Sequence, residues 1–495
     1  MKSIIPLFLV SLLWITACDT GLQGDFKENR PPKTFFTISE INLPEGERLV
    51  SQISISWWGD DPDGYVVGFE FVIGDTTGAE WVYTTSTDST FVLPIPQGEM
   101  DANVRFTVRA IDNEGARDPE PPSLVFPIRN SPPEIAFARF QTPPDTTYRV
   151  ASFGWNVSDP DGDANLNRVE IAINDTTQWF AVPVENNFVT IRVDDTGASP
   201  DAAVLFGRAL SSSGITLPGV LTDAENTLYV RAFDNAEAVS RVISHTWYVK
   251  QQRSRILFLH DYEGPDGPSR VNLHLDLLRQ VGITTVDFWN ISDGIAIGGN
   301  RVPFTNAFPD RSLVDPTINL MLAEWDHIYW LSNNLDRNIG YAIETTLRFF
   351  ENGGTMFINI PTKRIPDDSP VLEFLPFERM ETLPAGQQSF FIANGSEVIA
   401  SETITDPPRL VFRRNQLASV PIVPFGETVR LFEADFKTRP VFGQPIDFEG
   451  SKLISATNPQ ESILFFGIDL SEFTADSDRS GLIRFAAIET LGFQQ

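Results

Sequence analysis

The chain has 495 residues, a single cysteine and a formal net charge of -29, from 66 acidic and 37 basic residues. A surface this acidic favours solubility, repels phosphate backbones and argues against a nucleic-acid partner. One cysteine excludes an internal disulfide and a CxxC redox pair, while 38 Phe and 10 Trp supply apolar bulk for several cores, about three domains by length.

Met1-Lys2-Ser3 precede a mostly apolar run over residues 4–17, and Cys18 follows directly. One basic residue ahead of a short apolar core has the form of a signal peptide, too short to cross a bilayer stably. Ile15-Thr16-Ala17-Cys18 resembles the lipobox of bacterial lipoproteins. That resemblance implies cleavage before Cys18, a diacylglycerol on its sulfur and acylation of the new amine, and two or more acyl chains anchor a protein stably. It places the chain, as an expectation, in the bacterial cell envelope, lipid-anchored and extracytoplasmic. Lipidation of Cys18 would also remove the one thiol, and with it thiolate metal sites and cysteine nucleophiles. Residues 1–17 are thus expected as signal peptide and 18–33, with Gly21, Gly24 and Pro31-Pro32, as lipidated cysteine and linker.

A repeat follows. Trp57 and Trp155 are each followed four residues later by Asp-Pro-Asp-Gly, at 61–64 and 159–162. Alternating runs end in Asp75-Thr76-Thr77 and Asp175-Thr176-Thr177, and the copies realign at Val108-Arg109-Ala110 and Val230-Arg231-Ala232. Four landmarks in one order mark an internal duplication, with a period of about 100 residues that suits a sandwich domain rather than a solenoid. The early Trp and late Val-Arg-Ala-x-Asp strand resemble fibronectin type III and related immunoglobulin-like modules, here at 34–130 and 131–250. The tyrosine often found two residues before that late Val is Phe106 in one copy and Leu228 in the other. Copy two carries an insertion over about 197–226, where Pro200-Asp201 is expected to open a short helix. Asn130-Ser131-Pro132-Pro133 reads as a short, stiff linker.

Beyond residue 250 the pattern changes. Ile256-Leu257-Phe258-Leu259-His260 is a continuous apolar run of the kind buried parallel strands show. An amphipathic helix is expected over 272–282, strands over 285–289 and 325–332, and a helix over 340–352 that meets Gly353-Gly354 and a strand over 355–360. A strand over 462–467 and a helix over 478–491 close the chain. Such alternation predicts a doubly wound α/β domain over 253–495, so the fold class is multidomain: two all-β immunoglobulin-like sandwiches, then α/β. The strand Ile256–Asp261, Trp325-Asp326-His327-Ile328-Tyr329 and the helix-Gly-Gly-strand junction resemble the class I glutamine amidotransferase-like fold. That family places its nucleophilic cysteine after the strand that here reads Thr355-Met356-Phe357-Ile358-Asn359-Ile360. This chain continues Pro361-Thr362-Lys363, so the family's chemistry is absent.

Open α/β sheets bind ligands beyond the carboxyl ends of their strands. Those ends carry His260, Asp261 and Glu263, then Asn333 and Asn334, then Lys363, then Asp469. The set suits a polar ligand cleft, and the same residue types are also ordinary caps and turns. His274 and His327, inside a helix and a strand, read as packing residues. In copy two Asp159, Asp161 and Asp163 form an oxygen-rich loop of the type calcium takes, although no EF-hand glutamate follows; Asp-Pro-Asp-Gly is equally an efficient turn. Gly298-Gly299 reads as a turn. No cofactor is expected apart from that possible calcium. Neither Gly-x-Ser-x-Gly, HExxH nor a Walker sequence occurs. Together these features favour a non-catalytic binding or structural lipoprotein, its sandwiches a stalk for the α/β domain, with the membrane and an envelope protein or glycan as partners. The alternative is a surface hydrolase of glycans or peptides using the strand-end cleft.

Overall fold

Alternation of apolar and polar residues builds the first sandwich. Along Gln52–Asp60, Ile55 and Trp57 are buried while Ser54, Ser56 and Trp58 face outward, the two-residue period of a half-buried strand. The computed structural model describes residues 27–494 apart from 39–40, 42, 45, 97, 195–200, 293–295, 298–299, 302–313 and 336–337. The signal peptide, Cys18, most of the linker and Gly298-Gly299 lie outside the described residues. The chain divides into two compact units, Met1–Asn130 and Ser131–Gln495.

In the first unit, Lys33–Phe36, Gln52–Asp60 and Asp88–Val92 make one sheet. Leu49–Val50, Ser123–Arg129, Asp101–Asp112, Val66–Ile73 and Val82–Thr84, in that spatial order, make the other. Trp57 lies between them against Phe69, Phe71, Phe91 and Phe106 at centroid distances of 5.9–6.3 Å. Phe106 therefore fills a core position with a ring and no hydroxyl.

The second sandwich repeats this plan with Trp155 fully buried. One sheet runs Thr146–Thr147, Ile243–Val249, Ala224–Asp234, Leu166–Ile173, Phe180–Pro183; the other runs Ser211–Leu217, Ala202–Phe206, Phe188–Val193, Val150–Ser158, Glu134–Phe137. The short helix expected after Pro200 is instead the strand Ala202–Phe206, hairpin-paired with Ser211–Leu217. Ala202 and Val204 point inward and Ala203 outward, so the two-residue period overrode the proline signal.

Both copies share a surface device. Glu70 stands opposite Arg109 and Glu170 opposite Arg231 in the strand registers. Each arginine pairs with its glutamate, at 2.6 and 2.7 Å, and lies over a tryptophan, Trp81 at 3.8 Å and Trp179 at 4.0 Å. The stacked, bidentate-capable guanidinium explains why the repeated strand reads Val-Arg-Ala.

Residues beyond 250 carry a ten-stranded mixed sheet. Its parallel part runs Asp287–Asn290, Ile256–Asp261, His327–Ser332, Thr355–Asn359, Ile463–Phe466, so the strands stand 2-1-3-4-5 in chain order. An aromatic row crosses four of them in register: Phe288, Phe258, Tyr329 and Phe357, with neighbouring centroids 4.8–5.7 Å apart. Helix Gly267–Gln280 packs with helix Arg479–Ile483, while Asn319–Leu322 packs with Ala342–Thr345 and Leu347–Glu351. The first helix begins earlier than its apolar face predicted, because Pro268 suits the first turn.

The helix expected over 340–352 is broken at Thr346. The Thr345 and Thr346 hydroxyls donate back to the carbonyls of Tyr341 and Ala342, and Asn319 Oδ1 accepts from the Leu347 N–H. Side-chain competition for backbone groups interrupts the ladder there. The last helix starts where the Asp478 carboxylate accepts from the Gly481 N–H, and any Cβ at 481 would strike that carboxylate. It continues from Arg484 to Thr490 with π-type bonding. Between the fourth and fifth parallel strands, a stretch with no clear periodicity holds further antiparallel strands. Leu453–Thr457, Ile422–Val423 and Arg379–Met380 extend the main sheet; Gln387–Phe391, Lys437–Pro440 and Ile446–Asp447 form a small separate one.

Within the second unit, the sandwich and the mixed sheet share one core. Tyr148 and Val150, sandwich residues, cluster with Trp289, Met321 and Trp325. The Tyr148 hydroxyl donates to the Phe288 carbonyl (2.9 Å) and accepts from the Phe288 N–H (3.0 Å). Glu324, its side chain only 8% exposed, receives Arg149 at 3.1 Å and Arg192 at 2.6 Å. Tyr148→Phe strands the part-buried Phe288 N–H, while Lys250 Nζ still donates to the Phe288 carbonyl at 3.1 Å, and a loss of about 1–3 kcal/mol is expected in urea unfolding of the full chain. Arg192→Ala, half exposed and with Arg149 still on Glu324, is expected to lose less than about 1 kcal/mol. Equal, near-zero losses would contradict the seam.

Candidate functional site

Several of the strand-end side chains hydrogen-bond to backbone groups and to one another. His260 is buried, and its Nδ1 accepts from the Tyr262 N–H at 3.2 Å; burial pulls its pKa down to about 4. Asp261 is fully buried, with Oδ1 receiving Asn338 at 2.6 Å and Oδ2 receiving the Trp330 indole at 3.4 Å. Asn333 brackets Glu263 from both sides, accepting its N–H and donating to its carbonyl, each at 3.0 Å. The Asn334 N–H donates to the Ser332 hydroxyl, which itself reaches the Asp261 carbonyl. Lys363 is exposed.

Asp469 makes the densest knot. Its carboxylate accepts from the Tyr262 hydroxyl and Arg270 Nε, both at 3.0 Å, and from the Ser471 N–H at 2.8 Å. Burial pushes its pKa up, but the Ser471 N–H and Arg270 outweigh that and hold it below the usual carboxylate range. Burial, then the Asp469 charge, pushes the Tyr262 phenol up to about 12. Beside it Glu472 pairs with Arg414 and accepts from Gln416 at 2.7 Å. His274, fully buried, meets the Tyr329 hydroxyl at 2.6 Å, and burial lowers its pKa to about 4. His327 stacks on Phe493 at 4.6 Å and meets Thr355 at 2.8 Å.

The structure thus joins Glu263 to Asn333, His260 to the Tyr262 N–H, Asp261 to Asn338 and Trp330, and Asp469 to Tyr262. It shows no contact from Lys363 to that group. Arg270, Asn338 and Arg414 were missed: each lies remote in sequence from its partner, and in one chain a helical arginine looks like any solvated cation. Chemically, the arrangement fixes strand ends; among the described residues no serine or threonine hydroxyl is hydrogen-bonded to His260.

The acidic loop of the second sandwich folds as a turn. The Gly162 N–H donates to the Asp159 carbonyl at 2.9 Å, and Gly162 takes a φ of 105° that suits only glycine. Asp159 Oδ1 accepts from the Asp161 N–H (2.7 Å), Asp163 Oδ1 from the Asp159 N–H (3.0 Å), and Asp161 Oδ2 from the Ser131 N–H. Burial, followed by the charges of Asp161, Asp234 and Asp163, pushes the Asp159 pKa up to about 6. Among the described residues no three His, Cys, Asp or Glu side chains form a ready metal cluster. A cavity of about 220 Å³ lies at the seam, lined by Tyr148, Val150, Lys250, Trp289 and Met321 among others. Its walls suit a small apolar molecule, and burial lowers the pKa of Lys250 beside it.

No protein-family model matches the chain, and no curated protein matches it. Solved structures that resemble part of it include fibronectin(III)-like modules of CbhA from Clostridium thermocellum, 15% identical over 44% of this chain and 95% of that one, TM-score 0.17. The chicken interferon gamma receptor alpha chain is 9% identical over 45% and 99%, TM-score 0.22. A two-domain fibronectin type-III segment of chicken tenascin is 13% identical over 41% and 95%, TM-score 0.19. With scores this low, the sandwich architecture rests on the strand order above.

Both buried histidines are neutral when folded and would protonate near 6.5 when unfolded. The unfolded state therefore binds more protons between about pH 6.5 and 4, and stability falls as pH drops through that window, by up to about 1.4 kcal/mol per pH unit for each histidine. Chemical denaturation at pH 7 and pH 5 is expected to show this loss, and His274→Gln to reduce it. A flat profile would contradict neutral burial.

Proposed function

We propose that this chain is a lipid-anchored, extracytoplasmic protein of the bacterial cell envelope with a non-catalytic binding or structural role. Its second sandwich serves as a mount for a doubly wound α/β domain of amidotransferase-like kind over 253–495, which engages an envelope protein or a glycan. The seam carries this reading. A sandwich that completes its neighbour's core through Tyr148 and Val150, and locks it with Glu324, holds that neighbour in a fixed orientation. The 2-1-3-4-5 strand order and the two separate helix groups support the doubly wound assignment.

The missing nucleophile supports the non-catalytic role. After the strand Thr355–Asn359 the chain places Thr362, buried, with its N–H on the Gly467 carbonyl at 2.9 Å. His260, Asp261, Glu263, Asn333, Asn334 and Asp469 hydrogen-bond to backbone or to other side chains, and Lys363 is exposed. The lipid anchor is supported by the lipobox at 15–18. Two measurements on the full chain test the proposal. Cys18→Ser is expected to lose fatty-acid label and membrane retention; label that survives defeats the anchor. A panel of glycan and peptide substrates is expected to show no turnover; turnover abolished by His260→Ala would establish the surface hydrolase instead.

A further inference from the structure

We propose that the Asp159–Asp163 loop of the second sandwich, with Asp234 facing it, is a calcium site. The turn accounts for most of the loop's polar atoms but not for all. Asp159 Oδ1 and Asp163 Oδ1 accept from backbone N–H groups of the turn itself. Asp159 Oδ2 does not. The residue is 6% exposed, that oxygen is fully buried, and it accepts no hydrogen bond. Among the described residues no lysine or arginine pairs with Asp159. A desolvated carboxylate oxygen without a donor is costly, and a turn needs none there.

Its surroundings are of one chemical kind. Asp161 and Asp234 are buried, and Asp163 closes the loop from the other side. Carbonyl oxygens and the amides of Asn165 and Asn235 stand close by, tied together by Asn235 N–H to the Asn165 carbonyl at 2.7 Å. An all-oxygen, anionic set selects a hard cation, and among the described residues no histidine or cysteine joins it to favour zinc or copper. Because no three carboxylates already converge, backbone, amide and water oxygens complete the shell. Calcium tolerates such irregular shells of 6–8 oxygens where magnesium does not. That loose, partly charged set fits the weak range of extracellular modules, about 10⁻⁴ to 10⁻³ M.

The first sandwich is the internal control. There Asp112 receives the Asn29 amide at 2.7 Å, Asp63 receives the Arg30 N–H, and Tyr65 stands where the second copy has Asp163. Asp61 Oδ2 is likewise buried without a hydrogen-bond partner, but with one carboxylate fewer, and Asp61 only half-buried, the first sandwich is not assigned a site.

Isothermal titration of the full chain with calcium chloride in 150 mM sodium chloride, a roughly physiological ionic strength, tests the assignment. One calcium is expected to bind, with affinity at least about tenfold weaker in Asp159→Asn and unchanged in Asp61→Asn. Hydrogen exchange of the wild-type chain is read alongside, so that a folding defect in the variant does not decide the matter. Protection on calcium addition is expected at 159–165 and not at 61–67. Absence of binding, binding that survives Asp159→Asn with no protection at 159–165, or equal responses in both sandwiches would overturn the proposal.

Discussion

The Tyr148 hydroxyl gives and takes a hydrogen bond at the backbone of one residue, Phe288, and in doing so ties a sandwich strand end to the edge strand of a mixed sheet. Its ring sits edge-on to Trp325, 4.8 Å away, and the Trp325 indole in turn donates to Asp287. Asp287 also receives the backbone N–H groups of Arg253 and Ser254, the residues that lead into the first parallel strand. One buried phenol and one buried carboxylate thus set where the central strand begins. Burial makes these bonds count: each group would be stranded without water if its partner moved.

Beyond that seam the two parts of the second unit obey different rules. The sandwich is stabilised by a large inward aromatic on each copy's early strand and by an outward glutamate–arginine–tryptophan stack. Those residues recur at matching positions because each solves a local problem of a twisted sheet, filling the gap between layers or covering an exposed strand pair. The mixed sheet instead depends on its aromatic row and on a buried polar band at the strand ends. Asp261, Asn338, Asp469 and Arg270 there satisfy one another. These paired groups help specify one register for the strands, although among the described residues Asn359 Oδ1, His274 Nε2 and Ser471 Oγ stay buried without a partner.

Much of this was legible in the sequence, and the reasons are specific. Ile256–Asp261 is buried along its whole length, so its apolar run reads directly as a central strand. The duplicated Trp and Val-Arg-Ala landmarks mark core and surface positions that both copies keep. Three things were hidden. The region between 361 and 461 folds into strands of two to five residues, too short for a period to emerge. The break at Thr346 depends on Asn319, which arrives from another element. The seam joins residues about 140 positions apart, so neither Tyr148 nor Glu324 carries any local sign of its role. The strand-end residues were identified by type, yet their engagement with backbone is a tertiary fact that residue type does not reveal.

The second sandwich and the mixed sheet share one buried core and are expected to behave as one cooperative body. Scanning calorimetry of the full chain tests it most directly, because cooperative units unfold as separate heat-capacity peaks. The account predicts that residues 131–250 and 253–494 melt in a single transition and lose protection from hydrogen exchange together. Separate transitions for those two segments, with exchange in 253–494 unaffected by melting of the sandwich, would contradict it.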